Sequence, residues 1–423
     1  MRFGHLILRA AVVACVVLPG PAVSARVKLI TLPVRQRVEI QLDHAQATLV
    51  EEERIVPLVQ GLNQIDFSWA NTQIDPHTIV FRVLDGNGDQ KPTQEKPTQE
   101  KPTQEKPTQE AQTEGATLVA KVLSVSYPPN ESALVWQVSS TASGSARVRI
   151  SYLLGQLNKA FNYRAVVAAD ESSMTLRQYM RLNNLANEDF ASSELWAGFG
   201  PTFLKPIGIN ETKEMLMARY DKIPVKKVYT CDVSTNGYLD QPKNKIRVPM
   251  HFVLQNDKSH GLGGAPLQFG KVRIFQEDRQ GSTAFLGEDW GQFTPLDDEM
   301  RLFVGVAQDI VVVRTIEKNE LHRVAGNLTD IEVVVKYEIE NFKDKAVTLD
   351  ISENLREIRN QLYRDTGRDV QWELGPGTTL GIADADKSTY EKVLFHVDLP
   401  ARGADTKAAK IEHKLHLTLK HEW

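Results

Sequence analysis

Between Glu332 and Ser352 the chain alternates with a period of two. Val333, Val335, Tyr337 and Ile339 fall on one side, and Glu332, Val334, Lys336, Glu338 and Glu340 on the other. Asn341–Lys345 supplies turn residues, after which Val347, Leu349 and Ile351 point in while Thr348, Asp350 and Ser352 point out. A helix cannot use such a pattern, because its faces repeat every 3.6 residues; a strand with one buried face requires it. The stretch reads as an antiparallel hairpin on a half-buried sheet. Val393–Leu399 and Ile411–Leu419 extend it into an immunoglobulin-like sandwich.

Short strands of the same kind fill most of the chain. Arg37–Val83 holds several at hairpin spacing, with Gly61-Leu62-Asn63 as a turn and Pro76 as a break. Leu118–Tyr127, Ala133–Ser139, Ala146–Leu154, Asn162–Ala168 and Met174–Leu182 follow. From Gly270 to Arg314 the strands Lys271–Gln276, Thr283–Asp289, Met300–Val304 and Ile310–Arg314 read as an antiparallel meander. Its expected role is architectural, with Phe285, Leu286, Trp290, Leu302 and Val304 supplying core surface. Two short helices interrupt the pattern. Leu355, Ile358 and Leu362 have helical spacing, and Asn210 is placed to cap Glu211–Tyr220. The expected fold is all-β, with two or three antiparallel β-sandwich (immunoglobulin-like) domains and one or two short helices.

Between the first two blocks lies the one true repeat, four copies of Lys-Pro-Thr-Gln-Glu from Lys91 to Glu110. A proline every fifth residue and no other apolar side chain leave it nothing to bury, so it reads as an extended linker or tolerated loop. The expected division is 1–25 signal peptide, 26–84 N-terminal β domain, 85–116 linker, 117–315 central β domain and 316–423 C-terminal sandwich.

Arg2 and Arg9, the apolar run Ala10–Leu18, a Pro/Gly break and Val23-Ser24-Ala25 form a Sec-type signal peptide, cleaved before Arg26. Its apolar run is too short for a permanent span. The rival reading, lipidation at Cys15, leaves only Ala10–Ala14 as an apolar core. Export places the mature chain in the periplasm or outside the cell, with no transmembrane span. Cys231 is then its one cysteine, without a partner for an internal disulfide; it reads as a buried small apolar residue. The net charge of −4, more acidic once Arg2 and Arg9 are gone, gives no electrostatic footprint for nucleic acid and no polybasic patch for anionic lipid, so no nucleic-acid partner is expected.

Candidate chemistry is sparse. Asp85-Gly86-Asn87-Gly88-Asp89 opens like a calcium loop, but Gln90 replaces the turn glycine and Lys96 stands where a bidentate glutamate is needed. His413, His416 and His421 cannot meet on one strand, since His413 and His421 share a face roughly 26 Å apart at ~3.3 Å per residue. HExxH, GxSxG and phosphate-loop motifs are absent. The carboxylates Glu288, Asp289, Asp297, Asp298 and Glu299, near Trp290 and Phe293, are the one group that permits glycosidase-like acid/base work; solvated turns carry such charges too. No catalytic, cofactor-binding or metal-binding residue is assigned.

Tyr152…Gly155…Phe161-Asn162-Tyr163, Leu176…Leu182-Asn183-Asn184, Ala191…Trp196-Ala197-Gly198, Phe269-Gly270-Lys271-Val272-Arg273…Gly281…Phe285-Leu286-Gly287-Glu288 and Tyr337…Asn341…Ala346-Val347…Glu353 together resemble the C-terminal domain of the mucoidy inhibitor-like family. Val38…Ala45, Leu58…Gly61-Leu62-Asn63 and Asp75-Pro76 are similar to that family's first domain. Longer members carry a coiled coil where this chain has the KPTQE run. The resemblance implies a bacterial envelope protein and transfers no catalytic residue. The expected function is binding or scaffolding at the envelope, with an envelope protein or polysaccharide as partner. The alternative is a hydrolase or modifying enzyme acting on envelope polysaccharide or peptidoglycan.

Overall fold

The computed structural model describes residues 28–44, 47–85, 118–233, 243–278, 280–363, 367, 369–379, 381, 391–403 and 408–422. The signal segment with Cys15, the calcium-like loop beyond Asp85 and the KPTQE repeat lie outside the described residues. The fold is all-β: strands account for nearly every described element, and Leu355–Leu362 is the one α-helix among them. No helix among the described residues is long and apolar enough to cross a membrane.

Contacts divide the chain into two compact units that interleave in sequence. The first comprises the described residues up to Leu157 with Asn184–Gly198 and Thr202–Glu211. It has a four-stranded sheet, in order Lys28–Thr31, Gly61–Ser68, Ala133–Ser140 and Ala120–Ser126. Its six-stranded sheet runs Phe203–Ile207, Phe190–Trp196, Arg37–Gln41, Thr48–Leu58, Gly144–Leu154 and Val80–Asp85. Trp136 lies in its interior, with ring centroids 4.7 Å from Phe81 and 5.8 Å from Phe67.

The second unit carries three five-stranded sheets. Sheet one runs Thr212–Pro224, Ser173–Asn184, Leu157–Val167, Gly270–Glu277 and Thr283–Gly291. Sheet two runs Glu299–Val306, Pro249–Gln255, Lys226–Asp232, Val347–Asn354 and Lys392–Leu399. Sheet three runs Lys243–Ile246, Ile310–Ala325, Leu328–Asn341, Ala409–Glu422 and Gln371–Leu374. Sheet two serves both cores. Its Phe252, Leu254, Met300 and Leu302 pack with Tyr163, Leu176, Val272 and Ile274 of sheet one. Its Leu349, Ile351, Phe395 and Val397 pack with Val333, Val335, Tyr337 and Leu415 of sheet three.

Inward-facing residues follow the two-residue period, but partners differ from the sequence reading. Leu328–Asn341 pairs with Ile310–Ala325 and Ala409–Glu422, not with Val347–Asn354, which lies in the facing sheet. The expected meander is likewise split. Only Gly270–Glu277 and Thr283–Gly291 pair in sequence; Glu299–Val306 joins sheet two through Pro249–Gln255, and Ile310–Ala325 joins sheet three. Alternation reports which face is buried, and a chain that crosses between facing sheets keeps the same alternation as one that turns back on itself. Among the described residues four pairings are parallel, Gly270–Glu277 with Leu157–Val167 being one of them. The domain division also needs correction. Ile310–Ala325 runs unbroken through the expected 315/316 boundary, and Arg37–Gln41 takes Phe190–Trp196 as a neighbour.

The helix at Leu355–Leu362 forms as its spacing requires, with Leu355 and Ile358 buried and the Asn354 side chain accepting the Glu357 N–H at 3.2 Å. The helix expected at Glu211–Tyr220 is strand instead, Thr212–Pro224. Met215 and Met217 are buried on alternate positions of that strand, and Asn210, at φ 58°, is a left-handed turn residue rather than a helix cap.

Candidate functional site

The edge of sheet one is built around a buried asparagine. The Asn256 side-chain amide donates to the carbonyls of Ala265 (3.2 Å), Thr294 (3.1 Å) and Pro295 (2.9 Å), and its oxygen accepts the Gly263 N–H at 3.0 Å. This satisfies both ends of the amide and ties together two loops. Leu267 and Thr294 exchange backbone hydrogen bonds of 2.9 Å, closing the pair just before each loop enters or leaves the edge. Gly270 then passes so near the neighbouring parallel strand that a Cβ there would lie 2.3 Å from the Phe161 carbonyl oxygen.

From Gly270 opposite Gly291 the two edge strands run in register, Lys271 with Trp290 and Arg273 with Glu288. A bulge follows Ile274–Gly287, so that Phe275 meets Phe285. Val272 and Ile274 enter the core. The bulge therefore moves Phe285 to the outward row with Glu288 and Trp290, and Leu286 drops out of it to pack at the core's edge.

These aromatics are exposed. Phe269 and Trp290 are half-exposed, at 53% and 50%, and Phe285 and Phe293 slightly more so. Phe269 and Trp290 stack with centroids 5.2 Å apart and planes 4° from parallel. Lys271 Nζ sits 5.3 Å from the Trp290 ring centroid, and the Arg164 guanidinium 4.5 Å from that of Phe275, which meets Phe285 edge-on at 5.5 Å. The expected core role of Trp290 and Phe285 is thereby corrected. Leu302 is buried as expected, whereas the aromatics lie exposed beside the cations Lys271 and Arg164.

The neighbouring carboxylates are individually engaged. Glu288 pairs with Lys271 at 2.6 Å and Arg273 at 3.9 Å, and the Lys271 hydrogen bond holds its carboxyl below the ordinary glutamate range. Glycosidic acid catalysis needs the opposite shift. Asp289 points to the other side of the strand, accepting the N–H groups of Trp290 (2.8 Å) and Phe303 (2.7 Å). Asp297 is a left-handed turn residue at φ 64°, Asp298 accepts the Glu299 N–H at 2.8 Å, and Glu299 lies 3.4 Å from Arg301.

The three C-terminal histidines have separate neighbours: His413 lies 3.2 Å from the Thr379 hydroxyl, His421 lies 2.9 Å from Gln371, and His416 sits against Gly375 and Gly377. Cys231 is fully buried, and burial, then Glu353, pushes its thiol pKa up, which suits packing rather than nucleophilic work. Sequence reasoning missed one group, Glu320, His322 and Glu332, whose ligand atoms lie within 4.8 Å of one another. Only the register that sets Glu320 opposite Glu332 reveals it. Lys318 Nζ, 3.1 Å from Glu320 and 2.9 Å from Glu332, already bridges that pair and offsets part of its charge. Also missed were Phe269, Phe275 and Arg164, which gain meaning only from the pairing of strands distant in sequence.

No family model matches this chain, and no curated protein matches it.

Proposed function

We propose that this is an exported envelope protein of the mucoidy inhibitor-like type that works by binding or scaffolding, and that the aromatic edge of sheet one is its contact surface. The signal-like N-terminus and the motif resemblance support export and envelope residence. The carrying observation is the stacked, half-exposed Phe269–Trp290 pair. Burying either ring would aid folding, so two large rings stacked in solvent on an ordered sheet edge serve contact with something else. Flat aromatic faces suit the C–H faces of sugar rings, and Lys271 and Arg273 beside them add donors for hydroxyl or acidic groups. The hydrolase alternative gains no support from Glu288 and Asp289, which face opposite ways.

The test is retention of purified protein on peptidoglycan sacculi and on extracted exopolysaccharide. The reading predicts that Phe269→Ala/Trp290→Ala loses retention and Glu288→Gln keeps it, both fully folded, with the aromatic variant melting within a few degrees of the wild type. Equal retention by all three proteins contradicts it. Loss of a polysaccharide-cleaving activity in a fully folded Glu288→Gln would move the hydrolase reading ahead.

A further inference from the structure

We infer that the solvent face of sheet one, continuous with the aromatic edge, binds an acidic polysaccharide, and that a row of four arginines crossing the sheet pairs with its carboxylates. This rests on the binding reading above and names its ligand class. Arg219 stands opposite Arg177, and Arg164 opposite Arg273, which in turn stands opposite Glu288. The hairpin between the two pairs is closed by the Ala168 N–H to the Ser173 carbonyl at 2.9 Å, and counting back from that bond sets Arg164 beside Arg177. The buried hydrogen bond of 3.1 Å from Gln178 to the Tyr163 hydroxyl agrees with that count. The row across the five strands is therefore Arg219, Arg177, Arg164, Arg273, Glu288.

Arg177, Arg164 and Arg273 point away from the core, because their strand neighbours Leu176, Tyr163, Ala165, Val272 and Ile274 fill it, and Arg219 is exposed on the edge strand. Like charges directly opposite on adjacent strands destabilise a sheet, so folding gains nothing from this line. Neutralisation is incomplete. Arg219 has Asp221 at 2.9 Å and Arg273 has Glu288 at 3.9 Å, whereas Arg164 and Arg177 form no ion pair among the described residues. On the outward positions of the three central strands, Arg181 and Lys271 add further cations, and Glu277, at the far end, is the one carboxylate.

The chemistry selects the occupant. Guanidinium groups pair with carboxylates through two parallel hydrogen bonds, which the planar carboxylate of a uronate accepts and a neutral sugar cannot. Strands lie about 4.8 Å apart, so the row repeats at close to the length of one pyranose unit. The phosphates of an extended single-stranded nucleic acid repeat at a longer interval. A chain of uronates laid across the strands would turn carboxylates towards the arginines at intervals along its length, with the Phe269–Trp290 stack beside the end of the row.

The test measures binding of the full chain to polygalacturonate, neutral dextran and oligothymidylate at low and high salt. The inference predicts binding to polygalacturonate that weakens with salt, and at least a tenfold loss of affinity in Arg164→Ser/Arg177→Ser. The melting temperature of that variant should be unchanged or higher, since repulsion is relieved, and Arg164→Lys/Arg177→Lys should restore part of the affinity. Undiminished polygalacturonate affinity in the serine variant overturns the inference; if Phe269→Ala/Trp290→Ala still loses retention on extracted glycans, the binding reading survives alone. Tighter, arginine-dependent binding of oligothymidylate would make the face a nucleic-acid surface instead. Failure of the wild-type chain to bind polygalacturonate, with no retention on extracted glycans either, would sink both.

Discussion

The guanidinium of Arg314 meets the carboxylate of Glu353 at 2.7 Å inside the core between sheets two and three, with side chains 2% and 1% exposed. Tyr337, opposite Arg314 on the neighbouring strand, donates its hydroxyl to the same carboxylate. Two charges this deep hold each other in place but have given up their hydration to do so. Glu353→Ala should therefore destabilise by about 3–5 kcal/mol, because Arg314 is left buried and unpaired. Arg314→Met/Glu353→Leu should recover most of that loss. Chemical denaturation of the three proteins checks both statements.

Asn256→Ala removes three donated hydrogen bonds and the acceptor for Gly263 in a site with no exposure. A loss of about 2–3 kcal/mol is expected from the Ala265 and Pro295 carbonyls and the Gly263 N–H that lose their partner, since the Thr294 carbonyl keeps the Leu267 N–H. Because the loops it ties lead into Phe269 and Trp290, hydrogen exchange should also rise across 263–268 and 292–296 more than in sheet three. Uniform change across the unit would mean that Asn256 has no special hold on the edge.

Trp290 and Trp136 give opposite expectations for one substitution. Trp136 is 2% exposed within an aromatic cluster, so Trp136→Ala should cost about 3–5 kcal/mol. Trp290 is half-exposed, and Trp290→Ala should cost about 1 kcal/mol or less. Paired thermal melts decide this.

That contrast shows what the sequence makes legible. The period of two identified Val333, Val335, Tyr337 and Ile339 as inward, and they are. It could not say that Val347–Asn354 crosses to the facing sheet, since pairing is a property of two strands and alternation of one. Nor could it place Trp290. The alternation of Leu286, Glu288 and Trp290 is interrupted by the bulge before Gly287, and an aromatic on a β-rich segment reads as core unless its sheet position is known. The arginine row was hidden for a related reason. Its members come from four strands between Arg164 and Arg273, while the chain's net charge is −4. The carboxylate group was legible as a group, but its ion pairs and opposed directions were not.

His251 gives a pH dependence. Its Nδ1 is buried without a hydrogen-bond partner, and burial, then the charge of Arg301, lowers its folded-state pKa below the ordinary histidine value. In that interval the unfolded chain binds a proton that the folded chain does not, so stability rises with pH. The contribution is complete above about pH 6.5, the unfolded value, and is lost as pH falls towards the folded one. Urea midpoints should drop between pH 7 and pH 5, with a shallower drop in His251→Phe. Parallel profiles for the two proteins would contradict this.

Whether the Phe269–Trp290 edge touches ligand is reported directly by the Trp290 indole. Its N–H resonance, assigned by its disappearance in Trp290→Phe, should shift progressively as polygalacturonate or extracted envelope polysaccharide is added, while that of Trp136 stays fixed. A Trp290 resonance that does not move under conditions where the protein demonstrably binds glycan would show that the contact lies elsewhere and that the aromatic edge is not the site.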